Sequence, residues 1–164
     1  MKTLYFIGGT MGVGKTTVCQ ILKRRLPHCV FLDGDWCWDA DPFVVTEETQ
    51  EMVMGNIAHL LQSFLDCSEY ENVVFCWVMH QQEIVDDLLS RLRTDGVRVL
   101  PISLLCDEAE LRRRLQGDVD AGTRLPDILD RSAMRLPLYE TLNTLKVDVT
   151  SLSPEEAAEA LINL

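Results

Sequence analysis

Gly9-Thr10-Met11-Gly12-Val13-Gly14-Lys15-Thr16 is the stretch around which the chain is organised. It fits G-x-x-x-x-G-K-[ST] at every fixed position, follows the apolar run Thr3–Ile7 and opens an amphipathic stretch over about residues 15–25. That strand-then-helix setting is what gives the spelling its meaning. Small residues let the backbone curl so that successive N–H groups point inward at a helix N-terminus, forming an anion nest. On this reading Gly9, Thr10, Met11, Gly12, Val13 and Gly14 cradle the phosphates of ATP. Lys15 reaches the β- and γ-phosphates, and the Thr16 hydroxyl ligates Mg²⁺. Thr17, next on the helix, is a weaker candidate for binding the nucleotide. The bland alternative, a glycine-rich turn that happens to precede Lys-Thr, has the flanking strand and helix against it.

Further apolar runs repeat the pattern. Cys29–Asp33, Asn72–Met79, Val97–Leu105 and Leu145–Val149 are further strand candidates, and the first two are nearly uninterrupted, as parallel strands buried on both faces require. Between them lie helical periodicities at about 46–66, 81–94, 107–116, 126–143 and 153–163. The last opens on Ser153-Pro154-Glu155-Glu156, a capping box with proline at the first helical position. Repeated βα alternation predicts an α/β fold: a three-layer αβα sandwich around a doubly wound, parallel, five-stranded sheet. The 164 residues suit one domain, 1–164. One interruption, Gly117-Asp118-Val119-Asp120-Ala121-Gly122-Thr123-Arg124, reads as a mobile loop within a small lid at about 117–125.

Composition removes several classes. No apolar run approaches the roughly 20 residues that span a bilayer, and the N-terminal run ends at Gly8-Gly9, too early for a secretory signal. The reading is a cytoplasmic protein without a membrane partner. The six cysteines are scattered without Cys-x-x-Cys, which argues against a zinc site and fits a reducing compartment. Residues 26–90 contain no Lys or Arg but 13 Asp and Glu, while the remainder carries 15 basic against 13 acidic residues. Nucleic acid, whose binding needs several basic contacts, is a poor partner. The composition leaves monomer and homodimer both open.

At this point the chain resembles the small P-loop kinases that phosphorylate metabolites, antibiotics or nucleotides. The resemblance extends over nearly its whole length. Leu32-Asp33-Gly34-Asp35 after the second strand looks like the same element in adenylylsulfate kinases, and its Asp-x-Asp spacing is similar to that of shikimate kinases. The resemblance implies Asp33 near Mg²⁺ and Asp35 near the acceptor hydroxyl as its base. The alternative is that either carboxylate merely caps the following loop. Related kinases also use lid-flanking arginines on the transferring phosphoryl group. By placement these are Arg114, Arg124 and Arg131, Arg114 also being a candidate to cover adenine, and each competes with a merely solvated helix face. Arg131 and Arg135, four apart, share a face. The segment Lys146–Ser153 occupies the place where relatives wrap adenine.

Two departures narrow the expectation. The third strand ends Trp77-Val78-Met79 without a Walker B aspartate, and the interval that carries acceptor-phosphate arginines in nucleoside monophosphate kinases has no cation. A buried phosphate without a paired charge is costly, so the expected small-molecule acceptor is neutral or cationic. A lid arginine reaching across on closure would weaken that inference. Trp36, Trp38 and Trp77 fall near the ends of strands two and three, where doubly wound sheets place ligands. With Asp35 and His80 they form the candidate substrate site. The alternatives are that Trp77 is core, that Trp36 or Trp38 packs under a loop, and that His80 caps the next helix. Asn56 and Gln62 are further candidates to reach the acceptor. The leading expectation is an Mg·ATP-dependent kinase acting on a hydroxyl. A nucleoside or nucleotide kinase is the rival, and a non-catalytic ATP-binding switch or ATPase module stands in a different class.

Overall fold

The computed structural model describes residues 1–164. Five strands, β1 (Lys2–Gly8), β2 (Cys29–Asp33), β3 (Asn72–Trp77), β4 (Val97–Leu105) and β5 (Leu145–Asp148), form one sheet in the order β2-β3-β1-β4-β5. Every pairing is parallel, with Thr3 opposite both Asn72 and Arg98, and Gly8 opposite Trp77 and Ser103. Helices α1 (Lys15–Arg25), α2 (Glu47–Asp66), α3 (Gln82–Ser90), α4 (Glu108–Asp120), α5 (Ile128–Arg135) and α6 (Pro154–Ile162) cover both faces. The expected three-layer α/β sandwich is what the chain forms.

The period-two alternation of the strands explains the layers. Tyr5 and Ile7 of β1, Val74 and Cys76 of β3, and Ile102 and Leu104 of β4 join one core with α1, α4, α5 and α6. Leu4 and Phe6, then Val73 and Phe75, point the other way into a second core with α2 and α3. Since β1 is buried on both sides, its run Leu4–Ile7 reads as unbroken hydrophobicity. Local chemistry sets the helix starts. Ser153 and Glu156 complete the expected capping box, at 3.1 and 2.8 Å. Thr46 and Thr49 make a second one at α2.

Four boundaries differ from expectation, the first being α3, which ends at Ser90 and not near 94. Gly117–Asp120 is the last turn of α4 and not a loop. The helix stops at Gly122, whose left-handed φ of 75° suits glycine just past a helix end, and Gln116 bonds Asp120 along the turn at 2.8 Å. The irregular part of the lid is therefore 121–127. The single helix expected at 126–143 divides into α5 and a 3₁₀ segment, Leu136–Thr141. Pro137 has no N–H for the carbonyl of Ala133 and so cannot extend the ladder. Finally, β3 ends at Trp77, and Met79 turns the chain at φ 40°.

Candidate functional site

The carboxyl ends of β1, β2 and β3 converge where the sequence places the glycine-rich stretch. Gly14 sits at the N-cap of α1 with φ 102°, and no side chain caps the helix. Its first amides remain free for an anion. Gly12 also has a left-handed φ, 87°, and a Cβ there would lie 2.5 Å from Cδ2 of Leu115. Lys15 folds back so that Nζ donates to the Thr10 carbonyl at 3.0 Å. Thr10 itself is fully buried, and its hydroxyl turns away from the cradle to donate to the Ser132 carbonyl at 2.9 Å. Thr17 is exposed beside the cradle.

Asp33 closes the site from β2. Its Oδ2 accepts from the Thr16 hydroxyl at 2.8 Å, and its Oδ1 accepts from the Asp35 N–H at 3.0 Å. Asp33 thus does cap the 3₁₀ turn Gly34–Cys37, while its other oxygen meets the hydroxyl that would ligate a metal. Thr16 and Asp33 are hard oxygen donors side by side, a set that fits Mg²⁺ completed by phosphate oxygens and water.

A cleft of about 350 Å³ is lined by Lys15, Thr16, Asp33, Asp35, Arg114 and Arg124 among others. Partial burial and the Asp33 carboxylate push the Asp35 carboxyl above its ordinary value, with Lys15, the Trp77 indole and Arg124 partly offsetting them. Burial lowers the Lys15 ammonium, while nearby Cys76, Asp35 and Asp33 favour its charged form. Arg114 is held over the cradle by three contacts: Glu110 at 2.7 Å and the carbonyls of Val13 and Val149 at 3.0 Å each. Arg113 and Arg114 hold the Glu110 carboxyl down at about 2. Arg124 pairs with Asp118 at 3.1 Å and donates to the Met11 sulfur at 3.6 Å. Arg131 stands apart, exposed and 3.8 Å from Asp127.

Two further cavities adjoin this cleft. One, about 470 Å³, runs from Gly14 and Thr17 past Arg114 to Val149–Pro154, the segment that the resemblance to P-loop kinases puts beside adenine. The other, about 600 Å³, shares Trp77 and Val78 with the cleft and continues past Trp38, Met54 and His80 to Arg135. Trp36 reaches neither; it is exposed, edge-on to Phe31 at 5.1 Å. His80 does not cap α3, whose N-cap is Gln81. Its Nδ1 is buried without a partner. Asn56 bonds the Cys37 carbonyl, and Gln62 bonds Asp66 and the Arg93 N–H, so both are engaged elsewhere.

Sequence reasoning missed three groups. Ser132 is buried on α5, donates to the Met11 carbonyl at 2.5 Å and accepts the Thr10 hydroxyl at its own carbonyl at 2.9 Å, tying the glycine-rich loop to α5. Tyr139 ties the following segment to the Val78 carbonyl at 2.5 Å. Arg135 brings a cation to the larger cavity from outside the cation-free interval, so the argument from that interval left out a residue arriving from α5. The face shared by Arg131 and Arg135 was the available signal, but it did not tell which of the two turns inward.

A family model described as an AAA domain matches residues 6–130. The chain belongs to this family. Its kinase-like relatives agree with the P-loop seen at β1 and α1. The chain is 27% identical over 159 residues to a Thermococcus kodakarensis protein described as "Putative adenylate kinase", covering 96% of this chain and 82% of that protein. Among solved structures, the Deinococcus radiodurans tunicamycin resistance protein superposes with a TM-score of 0.72 at 18% identity, over 99% of this chain and 95% of that one. A gluconokinase from Sinorhizobium meliloti gives 0.65 at 20% identity, over 99% and 91%. The Mycobacterium tuberculosis APS kinase gives 0.65 at 15% identity, over 99% and 95%. These three likenesses concern the fold. The family match and the glycine-rich loop between β1 and α1 make this a P-loop protein with a kinase-like fold.

Proposed function

We propose that the protein is an Mg·ATP-dependent kinase that transfers the γ-phosphoryl group to a hydroxyl of a small molecule. The observation that carries this reading is a junction. The cleft containing Lys15, Thr16, Asp33 and Asp35 meets, at Trp77 and Val78, a larger cavity half lined by apolar side chains. When bound, ATP supplies the phosphoryl group and Mg²⁺ neutralises its charge. Thr16 and Asp33 would hold the metal, and Lys15 with the free amides of α1 would hold the phosphates.

Asp35 would orient the acceptor hydroxyl and take its proton. A carboxylate whose affinity for protons is raised is a better base than an ordinary aspartate, provided it stays ionised at the working pH. Arg114 and Arg124, already facing the cleft, would balance charge on the transferring group, whereas Arg131 would need the lid to move. Trp38, Trp77 and His80 would contact the acceptor, and Trp36 would do so only by leaving Phe31. The free carboxylates Glu47 and Glu83 at the exposed rim favour a neutral or cationic group at that end of the acceptor. We place the protein in the cytosol as a monomer or homodimer; no helix is long and apolar enough to cross a membrane.

A nucleotide acceptor is the second reading, favoured by the name of the Thermococcus relative and by Arg135. The test is ADP release from Mg·ATP against nucleosides, nucleoside monophosphates, sugars, shikimate-like acids and aminoglycosides, with Lys15→Ala as the blank. Stimulation by one acceptor class in the wild type alone supports the kinase and names its substrate. Tight ATP binding with no stimulation by any class would favour the switch.

A further inference from the structure

The larger cavity contains a charge that the proposed reaction does not use. Six arginines lie between Arg112 and Arg135, and five of them, Arg112, Arg113, Arg114, Arg124 and Arg131, pair with a carboxylate. Arg135 is the exception. It is half-buried, lines the cavity, and its side chain makes no hydrogen bond or ion pair. The acids of the same cavity do not offer themselves as partners. Glu51 and Asp87 are taken by Arg91 at 2.8 Å each, and Glu47 and Glu83 lie on the exposed rim.

His80 lies close enough to Arg135 for the guanidinium to act on its titration: burial and then Arg135 hold the imidazole below its ordinary value. The ring is therefore neutral at neutral pH, with one N–H to donate and a buried Nδ1 that has no partner. A half-buried guanidinium and an orphaned ring nitrogen both carry an unmet desolvation cost. The C-terminal turn of α5 makes that cost bearable for Arg135, since a helix end favours a cation. A planar guanidinium fork is matched by the two oxygens of a carboxylate or phosphate. Trp38 and Trp77 on the same cavity suit a flat apolar body.

We propose that Arg135 and His80 form an oxyanion subsite in this cavity, so that the acceptor is a small hydroxylated molecule with a flat apolar body and a single carboxylate or phosphate group. This rests on reading the cavity as the acceptor's. It places the neutral or cationic end of that molecule at the rim, where Glu47 and Glu83 oppose a second negative charge.

The subsite can be tested without catalysis. Fluorescence of Trp38 and Trp77 is titrated in the Lys15→Ala background, which weakens the competing phosphate cradle, with benzoate, phenyl phosphate, benzyl alcohol and benzylammonium. Both anions are expected to bind at least ten-fold more tightly than the other two probes, and Arg135→Gln should erase that preference. Arg135→Lys, which retains charge without the fork, should restore part of it. If Arg135→Gln does not fold, His80→Ala should still weaken anion binding several-fold. The tighter of the two anions tells whether carboxylate or phosphate is the natural group. Equal binding of benzyl alcohol and the anions, or an anion preference that survives Arg135→Gln, would overturn the proposal. Nucleotide binding by the wild type, titrated separately, distinguishes this failure from failure of the kinase reading.

Discussion

Burial, and then the neighbouring Asp33 carboxylate, raise the proton affinity of Asp35, whose own backbone N–H is tied to that same carboxylate. If Asp35 is the acceptor's base, Asp35→Asn should cut turnover about 10²-fold or more while Mg·ATP affinity, read by calorimetry, changes only a few-fold. Equal losses of both would make it a metal or structural residue. The pH profile gives an independent check. A base must be deprotonated, so kcat/KM should fall as pH drops through the Asp35 pKa, and that acid limb should lie above the range of an unperturbed aspartate. In the Asp35→Asn variant the limb should vanish from the residual rate. At this scale the glycine-rich loop was readable because its spelling is a list of backbone requirements: Gly12 and Gly14 both take left-handed φ. The capping of the turn by Asp33 was among the readings its position allowed, but its simultaneous bond to Thr16 was not readable. The outward turn of Trp36 was not readable, because the 3₁₀ turn Gly34–Cys37 decides which of two nearby tryptophans faces the cavity.

Helix α5 does more for the site than its eight residues suggest. Ser132 hydrogen-bonds the loop at Thr10 and Met11, and Arg135 lies one turn further on, at the larger cavity. Ser132→Ala would keep the backbone carbonyl that accepts from Thr10 but remove the only side-chain donor to the Met11 carbonyl. It should cost about 1–3 kcal/mol in denaturant unfolding and weaken nucleotide binding by loosening the loop. An unchanged midpoint would mean that water replaces the hydroxyl. Gly34 is the matching test on the β2 side. A Cβ there would lie 2.5 Å from Cγ of Trp77, so Gly34→Ala should cost about 1–3 kcal/mol by overpacking and change the near-ultraviolet signal of that indole. Element ends were the least legible feature. Gly117 and Gly122 are both plausible stops by residue type, and only the backbone shows that Gly122 carries the left-handed φ. Pro137 lies where α5 gives way to the 3₁₀ segment, and the apolar periodicity around it carried the expected helix too far.

The whole molecule divides its work between the sheet faces. The core with α1, α4, α5 and α6 backs the glycine-rich loop and lid, and the core with α2 and α3 backs the larger cavity proposed for the acceptor. The alternation of β1 between the two was legible as an unbroken apolar run; the convergence of α5 on a cavity flanked by α2 and α3 was not, because it depends on packing between distant segments. Ligand linkage should be visible globally. Mg·ATP at 100 times its Kd should stabilise the fold by about 2.7 kcal/mol, and Lys15→Ala should remove most of that gain in a thermal melt. The most direct test of the central claim is the fate of the label when γ-³²P-ATP and Mg²⁺ are incubated with an acceptor that stimulates ADP release. The account predicts label in a phosphorylated organic product with the wild type, and nearly none with Lys15→Ala or Asp35→Asn. Label recovered only as inorganic phosphate, with or without acceptor, would contradict it and make the protein an ATPase.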